Sequence, residues 1–403
     1  MGLILTRSPY HISRGSLDAN ASAIVSIGRM EGGSFNIVEE YVLNFRDKYF
    51  IDISKLCSSV YTQDYSYVGV WNQYITSVVG EDPLKFYESG YVTVTISGSI
   101  SGVAQADQVT NYFCTDGYMY SSEKIDKDFV AELQDNSFYA GSSDIIYKLD
   151  DSNLRIPILN PKYYTPDSNV NVSFLSKGSV VFTDTLTYTS SSSTSSTVSR
   201  WARTFDYPSF LSRVNSEEGE YEESKCIEDF FDEHKIDDVD EVYISAGDKV
   251  KILKVKTVEE CKYNPYRITF RNRYGVMEDL WFFKKSVASM SVTSEEFRAN
   301  QFKQRSSGGR DRDAGLVRSV REYGKNGVES LTINSGFVDE ALNESFKQLM
   351  LSEEVELYDF NNDVLSAVKI SDSQLKMKTS VNDKLINYTI EVEFSNNIID
   401  DIV

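Results

Sequence analysis

Two histidines, His11 and His234, are all the imidazole that this chain of 403 residues possesses. A Ser-His-Asp or Cys-His relay would have to run through one of them. His11 stands in SPYHISRG, close to the first residue. His234 lies in an acidic stretch, where neighbouring carboxylates favour the imidazolium over the neutral base that a relay needs. Neither is expected to be catalytic, and no GxSxG, GxxxxGK[ST] or HExxH is present. The four cysteines, Cys57, Cys114, Cys226 and Cys261, contain no CxxC pair, so no metal site is expected and reduced thiols are the favoured state. A glycosidase needs only two carboxylates at the right separation, and Glu278-Asp279 before Trp281 is the pair to test first. Among 61 acidic residues such a pair has almost no specificity. The chain is therefore read as a non-enzyme, with no catalytic, cofactor-binding or metal-ligating residue assigned.

The densest run of aromatics and cations is YNPYRITFRNRYGVMEDLWFFKKS, residues 263–286. Tyr266, Ile268 and Phe270 alternate, Asn272-Arg273-Tyr274-Gly275 supplies a turn with a residue suited to positive φ, and Val276 to Phe283 returns. On the return strand, Leu280 and Phe282 share one face while Trp281 and Phe283 share the other. A sugar platform would gather its rings on one exposed face. Rings on both faces predict a core strand or an interface, and Trp281, Phe282 and Phe283 are candidate interface residues.

The elements that must hold this hairpin are mostly strands. The chain has 26 Tyr and 22 Phe, types that favour pleated half-buried surfaces. ASAIVSIGRM, NIVEEYVLNF, KYFIDISKL and GYVTVTISGS read as strands, with Gly32-Gly33 and Arg46-Asp47-Lys48 as hairpin connections. ISKLCSSVYTQ suits a helical turn or a sheet crossing, and KIDKDFVAELQDN a short helix. LRIPILNPKYYTP carries three prolines and reads as an edge or a boundary. VDEALNESFKQLMLS places Leu342, Phe346, Leu349 and Met350 on one helical stripe. EVELYDF, SAVKISD and QLKMKTS are strand candidates, and INYTIEVEF alternates cleanly. The expected fold is mainly β: several antiparallel β-sandwich (immunoglobulin- or fibronectin-like) modules with a few short helices. The expected divisions are an N-terminal sandwich over 1–102, an irregular connection over 103–167, and a central sandwich with an acidic loop over 168–293. A basic linker or arm over 294–327 and a C-terminal α+β sandwich over 328–403 complete the chain.

Charge narrows the partners. The net formal charge is −20, which repels phosphate backbones, so nucleic acid is an unfavoured partner. No apolar run approaches membrane-spanning length, and the first residues lack a signal-peptide core. The serine-threonine run Thr187–Ser199 fits a loop or a polar edge strand. Ser216–Glu241 holds thirteen acids against two lysines, without the spacing of a calcium loop, and reads as a solvated acidic loop. Residues 294–327 reverse the sign with Arg305, Arg310, Arg312, Arg318 and Arg321, and are candidates to dock on an acidic neighbour, including a second copy.

YNPYRITFRNRYGVMEDLWFFKKS, the closing NDKLINYTIEVEFSNNI and the opening LTRSPYHI…YFIDISKL…DGYMY together resemble a group of virion structural proteins of tailed bacteriophages, many infecting marine bacteria and Bacteroidetes. The resemblance covers most of the chain in patches and carries no catalytic motif. It implies a tail, baseplate or neck component, made in the host cytoplasm and resident in the virion. Its partners would be other virion proteins and copies of itself in a ring or collar, and no cofactor is implied. The alternatives are a glycan-binding module for the host surface and a carbohydrate-active enzyme.

Overall fold

Alternation at period two dictates the first sheet. In GYVTVTIS, Val92, Val94 and Ile96 turn inward and are buried, while Thr93 and Thr95 turn out. The computed structural model describes residues 2–31, 34–46, 48–58, 90–123, 129–150, 154–159, 170–186, 202–206, 239–298, 302–304, 310–312, 320–362, 364–372, 374–376, 385–396 and 398. It is mainly β, built from several antiparallel sheets with short helices.

The first block contains β1 (Gly2–Leu5), β2 (His11–Ser13), β3 (Ser22–Glu31), β4 (Ser34–Asn44), β5 (Phe50–Asp52), α1 (Ser54–Cys57), β6 (Gly90–Ser97), β7 (Ser99–Ile100), β8 (Val103–Ala104) and β9 (Gln108–Thr115). Five of these strands form a sheet in the order β1-β9-β6-β3-β4, with β1 and β9 parallel. Its inner face packs on Leu17, Phe45, Ile53 and Cys57, so α1 plugs the core as the expected helical turn. Arg46-Asp47-Lys48 does not make a hairpin, because β5 pairs with β2 and not with β4.

The second block contains α2 (Phe129–Asp135), β10 (Ile145–Leu149), β11 (Arg155–Leu159), β12 (Val170–Ser176), β13 (Ser179–Leu186), β14 (Ala202–Asp206), β15 (Glu241–Ala246) and β16 (Lys249–Val258). Its sheet runs β10-β16-β15-β12-β13, with β10 parallel to β16. Lys177 and Gly178 both take positive φ in a two-residue turn between β12 and β13. Pro157 sits in β11, whose strand partner is β14. On the other side, where Pro157 lacks an amide hydrogen, the contact is reduced to an isolated bridge from Tyr139 to Ile158, with the Ala140 amide donating to the Pro157 carbonyl at 3.0 Å. The stretch read as an irregular connection over 103–167 thus gives β9 to one sheet and β10 to the next. Leu3 and Leu5 of β1 join the second core, so the division at 102/103 does not separate two cores. The serine-threonine run, Cys226 and His234 lie outside the described residues, as does the acidic stretch up to residue 238.

The third block contains β17 (Tyr266–Arg271), β18 (Met277–Phe282), β19 (Lys284–Arg298), β20 (Phe302–Gln304), β21 (Arg310–Arg312), β22 (Val320–Asp339), α3 (Asn343–Met350), β23 (Val355–Asp359), β24 (Val364–Ile370) and β25 (Leu385–Phe394). Seven strands order as β18-β17-β23-β24-β25-β22-β19. Glu340–Leu342 makes a short 3-10 turn, capped by the Asp339 carboxylate that accepts from the Ala341 amide at 3.1 Å. α3 then lays Phe346 and Leu349 on the sheet face formed by Ile268, Phe270, Leu280, Phe282, Ile333 and Ile390. The described part of QLKMKTS, residues 374–376, is not strand.

Candidate functional site

The hairpin of β17 and β18 is the hub of the molecule, and its two faces serve different neighbours. Phe282 is fully buried and meets Phe346 of α3 edge-to-face, with ring centroids 6.1 Å apart. Trp281 and Phe283 stack at 6.0 Å on the other side, against Leu149, Tyr147 and Val258 of the second sheet. The Arg267 guanidinium lies over the rings of Trp281 and Tyr358, at 5.8 and 4.8 Å. The expected two-faced burial is present, and its partners lie within the same chain. That corrects the assignment of Trp281, Phe282 and Phe283 to a contact with another subunit, because all three rings are already covered.

The turn docks in a third direction. Asn272 is fully buried and uses its whole amide. Nδ2 donates to the Ala140 carbonyl at 2.7 Å and to Glu278 Oε2 at 3.1 Å, while Oδ1 accepts from the amides of Tyr274 and Val276. Gly275 takes φ +77°, and a Cβ there would lie 2.9 Å from the Asp116 amide nitrogen. Only glycine lets the turn approach the segment after β9 so closely. Tyr118 donates its amide to the Arg273 carbonyl at 2.8 Å, completing the seam.

Two arginines clamp that seam. Arg271 bonds Asp116 at 2.5 Å and also Glu354. Arg273 Nη2 donates to both oxygens of Glu123, at 2.9 and 3.0 Å, and the guanidinium is framed by Tyr120, Tyr274 and Phe129. Tyr120 donates to Glu344 of α3 at 2.5 Å. Burial pushes the Glu344 carboxyl up, but the hydrogen bonds from Tyr120, Gln348 and Lys347 outweigh it, leaving the group below its ordinary value. Arg7, following β1, bonds Glu353 at 2.9 Å. So LTRSPYHI, DGYMY and YNPYRITFRNRYG, distant in sequence, meet at one polar junction. The sequence marked Asn272 and Arg273 only as turn residues, and Arg271 not at all. The signal available was the cation–Asn–cation triplet placed directly at a turn.

Glu278 is the buried acid of this junction. Its Oε2 accepts from the amides of Ser142 and Asn272, both at 3.1 Å. Its Oε1 faces the Ser142 hydroxyl, which lies 2.5 Å from the Ser345 hydroxyl. Burial raises the carboxyl above the ordinary range, only partly offset by Ser142, Asn272 and Ser345. Both carboxylate oxygens thus act as acceptors, Oε2 from the two amides and Oε1 from the Ser142 hydroxyl. Asp279 points to the opposite face, where Thr269 donates to it at 2.7 Å and Arg267 stands 3.8 Å away. The Glu278-Asp279 pair therefore cannot flank one glycosidic bond: successive strand residues project to opposite faces. The adjoining cavity, lined by Tyr139, Glu278, Ser345 and Phe346, holds about 30 Å³. That admits one water and no sugar ring.

The remaining sequence candidates lie elsewhere. His11 is exposed on β2, its ring 6.5 Å from Phe50, which touches Tyr49 at 4.8 Å. Arg310 and Arg312 lie in β21, paired with β20, while Arg305 and Arg318 are outside the described residues. Arg321 is exposed on β22 opposite Phe297 of β19. The basic stretch is not a free linker: its two ends belong to strands β19 and β22, which pair from Lys284↔Asn334 out to Arg298↔Val320. Divisions at 293/294 and 327/328 fall inside those strands. Ser-Ser-Gly-Gly at 306–309 lies outside the described residues, between β20 and β21, which pair antiparallel. Among the described residues, no group of three or more His, Cys, Asp or Glu side chains could hold a metal ion. No described helix is long and apolar enough to cross a membrane. No protein-family model matches the chain. A search of curated proteins likewise returned no match.

Proposed function

We propose that the protein is a structural component of a tailed-phage virion, a tail, baseplate or neck assembly protein acting through protein–protein interfaces. The observation that carries this reading is a two-stranded ribbon that runs on beyond the seven-stranded sheet. β25 pairs with β22 only from Ser330 onward, so residues 320–329 and 290–298 continue as a two-stranded arm, flanked near its base by Ile398, whose amide donates to the Gly327 carbonyl at 2.8 Å. At about 3.3 Å per residue the arm reaches roughly 30 Å. Its exposed Met290, Val292, Phe297, Val320 and Tyr323 are apolar surface of the kind that assembly covers. The resemblance in LTRSPYHI, DGYMY and the hairpin gives the class of particle. Mass spectrometry of purified particles from the encoding phage should find the chain in stoichiometric amount. Its absence there removes the proposal.

Charge supports a ring or collar of copies. The arm's arginines and the acidic 216–241 stretch have opposite sign, and pairing between neighbours would make assembly salt-sensitive. Oligomer mass measured from low to high salt should fall, and a mass indifferent to salt counts against this arrangement.

A second reading has one observation in its favour. His11, Tyr49 and Phe50 form an exposed aromatic group, with the Arg14 guanidinium 5.5 Å over Tyr49, which suits a sugar face. Glycan-array binding lost on Tyr49→Ala and Phe50→Ala would favour a host-surface role, and binding unchanged by both would dismiss it. A carbohydrate-active enzyme remains the third reading. It has lost its one candidate pair, since Glu278 and Asp279 stand back to back.

A further inference from the structure

We propose that the outer edge of β19 is a homodimer interface. Two copies pair β19 with β19, antiparallel, about a twofold axis at Met290, joining two seven-stranded sheets into one. The proposal deepens the assembly reading and rests on it, naming the partner as a second copy and the surface as one strand edge.

The seven-stranded sheet has two outer strands of opposite character. β18 is covered by β10 and β11. β19 has β22 as its one ladder partner among the described residues and is exposed along nearly its whole length. An open edge is normally guarded by charges, prolines or bulges, because its unpaired amides and carbonyls template pairing with another chain. From Ser286 to Ser294 this edge has neither charge nor proline. Its register with β22 is regular from Val287 to Thr293, with irregularities just outside each end. Val287, Met290 and Val292 are 53%, 59% and 55% exposed within that stretch. The guards are missing where the strand is flattest.

Its sequence chooses the partner. KKSVASMSVTSEE, residues 284–296, is nearly symmetric about Met290. Antiparallel self-pairing sets Ser286 against Ser294, Val287 against Thr293, Ala288 against Val292, Ser289 against Ser291, and Met290 against itself. Side chains of like size and polarity meet on each face. Lys284 and Lys285 arrive beside the partner's acidic end, Glu295 and Glu296. Lys284 also holds Glu260 at 2.8 Å, and an ammonium has further donors to offer. Parallel pairing would instead place lysines on lysines and glutamates on glutamates. Symmetry and charge both select the antiparallel register.

Sedimentation velocity of the full chain over a concentration series should show a reversible dimer. In the proposed register Ser289 faces the partner's Ser291. Ser289→Lys with Ser291→Lys therefore opposes like charges, and should weaken dimerisation tenfold or more. Ser289→Lys with Ser291→Glu opposes unlike charges and should restore it. Met290→Cys should form a disulfide-linked dimer under mild oxidation. Ala288→Cys alone should not, but mixed with Val292→Cys it should. All these sites are exposed, so unchanged melting temperatures verify the fold, and the cysteine variants test the register without added charge. A monomer at every concentration overturns the proposal. So does equal weakening by the two double variants, or cross-linking of Ala288→Cys alone as readily as Met290→Cys. Absence from particles would remove the virion reading and leave a measured dimer standing, whereas a monomer found in particles would do the reverse.

Discussion

Between Phe282 and Lys284 the chain passes from the most enclosed strand of the molecule to one of its most open. β17 and β18 are buried on both faces, while β19 and residues 320–325 of β22 are exposed on both. Both pairs are antiparallel and rich in strand-forming residues, so backbone preference does not distinguish them. Side-chain volume does. The hairpin presents Trp281, Phe282, Phe283 and Phe270, each able to cover a neighbouring element. The ribbon's stretch Ser286–Ser294 presents serines, threonine, alanine, valines and one methionine, which cover little, and its two rings, Phe297 and Tyr323, meet each other on one face, with centroids 5.7 Å apart. A two-faced strand can thus be a hub or an arm, and large rings on both faces mark the hub.

The sharpest way to break this contrast is Phe282→Ala. Emptying a fully buried ring site should cost about 3–5 kcal/mol, read as a lower urea midpoint. Next comes Asn272→Ala, which strips the Ala140 carbonyl and the amides of Tyr274 and Val276 of partners in a buried turn. A loss of about 3 kcal/mol is expected from those orphaned groups, also by urea unfolding. Gly275→Ala forces a side chain into positive φ against Asp116 and should cost about 1–2 kcal/mol in the same assay.

Glu278→Gln sharpens the contrast through pH. The folded carboxyl is raised above its unfolded value, so its contribution is fully present below the unfolded value and is lost as pH rises through the folded one. Glutamine imitates the protonated acid. The variant should match the parent near pH 4 and melt higher at pH 8, and a lower melting temperature at pH 8 would refute a carboxyl raised by burial. Smallest of all is Val287→Ser on the ribbon, expected within about 0.5 kcal/mol of the parent at monomer concentrations. A loss there as large as that of Phe282→Ala would erase the distinction between hub and arm.

Much of the local structure was legible in the residues. Tyr388, Ile390 and Val392 alternate and are buried on one face of β25. Leu342, Phe346 and Leu349 keep helical spacing and form the buried stripe of the 3-10 turn and α3. The turn at Asn272–Gly275 was visible because few residues other than glycine suit its last position. The junction was not legible. Arg271 and Asp116 are 155 residues apart, and Tyr120 and Glu344 are 224 apart. Local periodicity carries no information about pairs so distant. The acidic pair Glu278-Asp279 misled because adjacency in sequence means opposite faces in a strand.

The sequence by itself determined the β class, the hairpin, the helix after residue 339 and the two faces of the return strand. These follow from side-chain period, turn stereochemistry and residue volume, all of which act within a few residues. Tertiary structure alone decided that β9 and β10 serve different sheets, that 294–327 begins and ends as strand, and that the rings of 281–283 are covered by their own chain. Sheet order and burial depend on which distant segments meet. That outcome is set by the summed packing of whole faces, and no single segment encodes it.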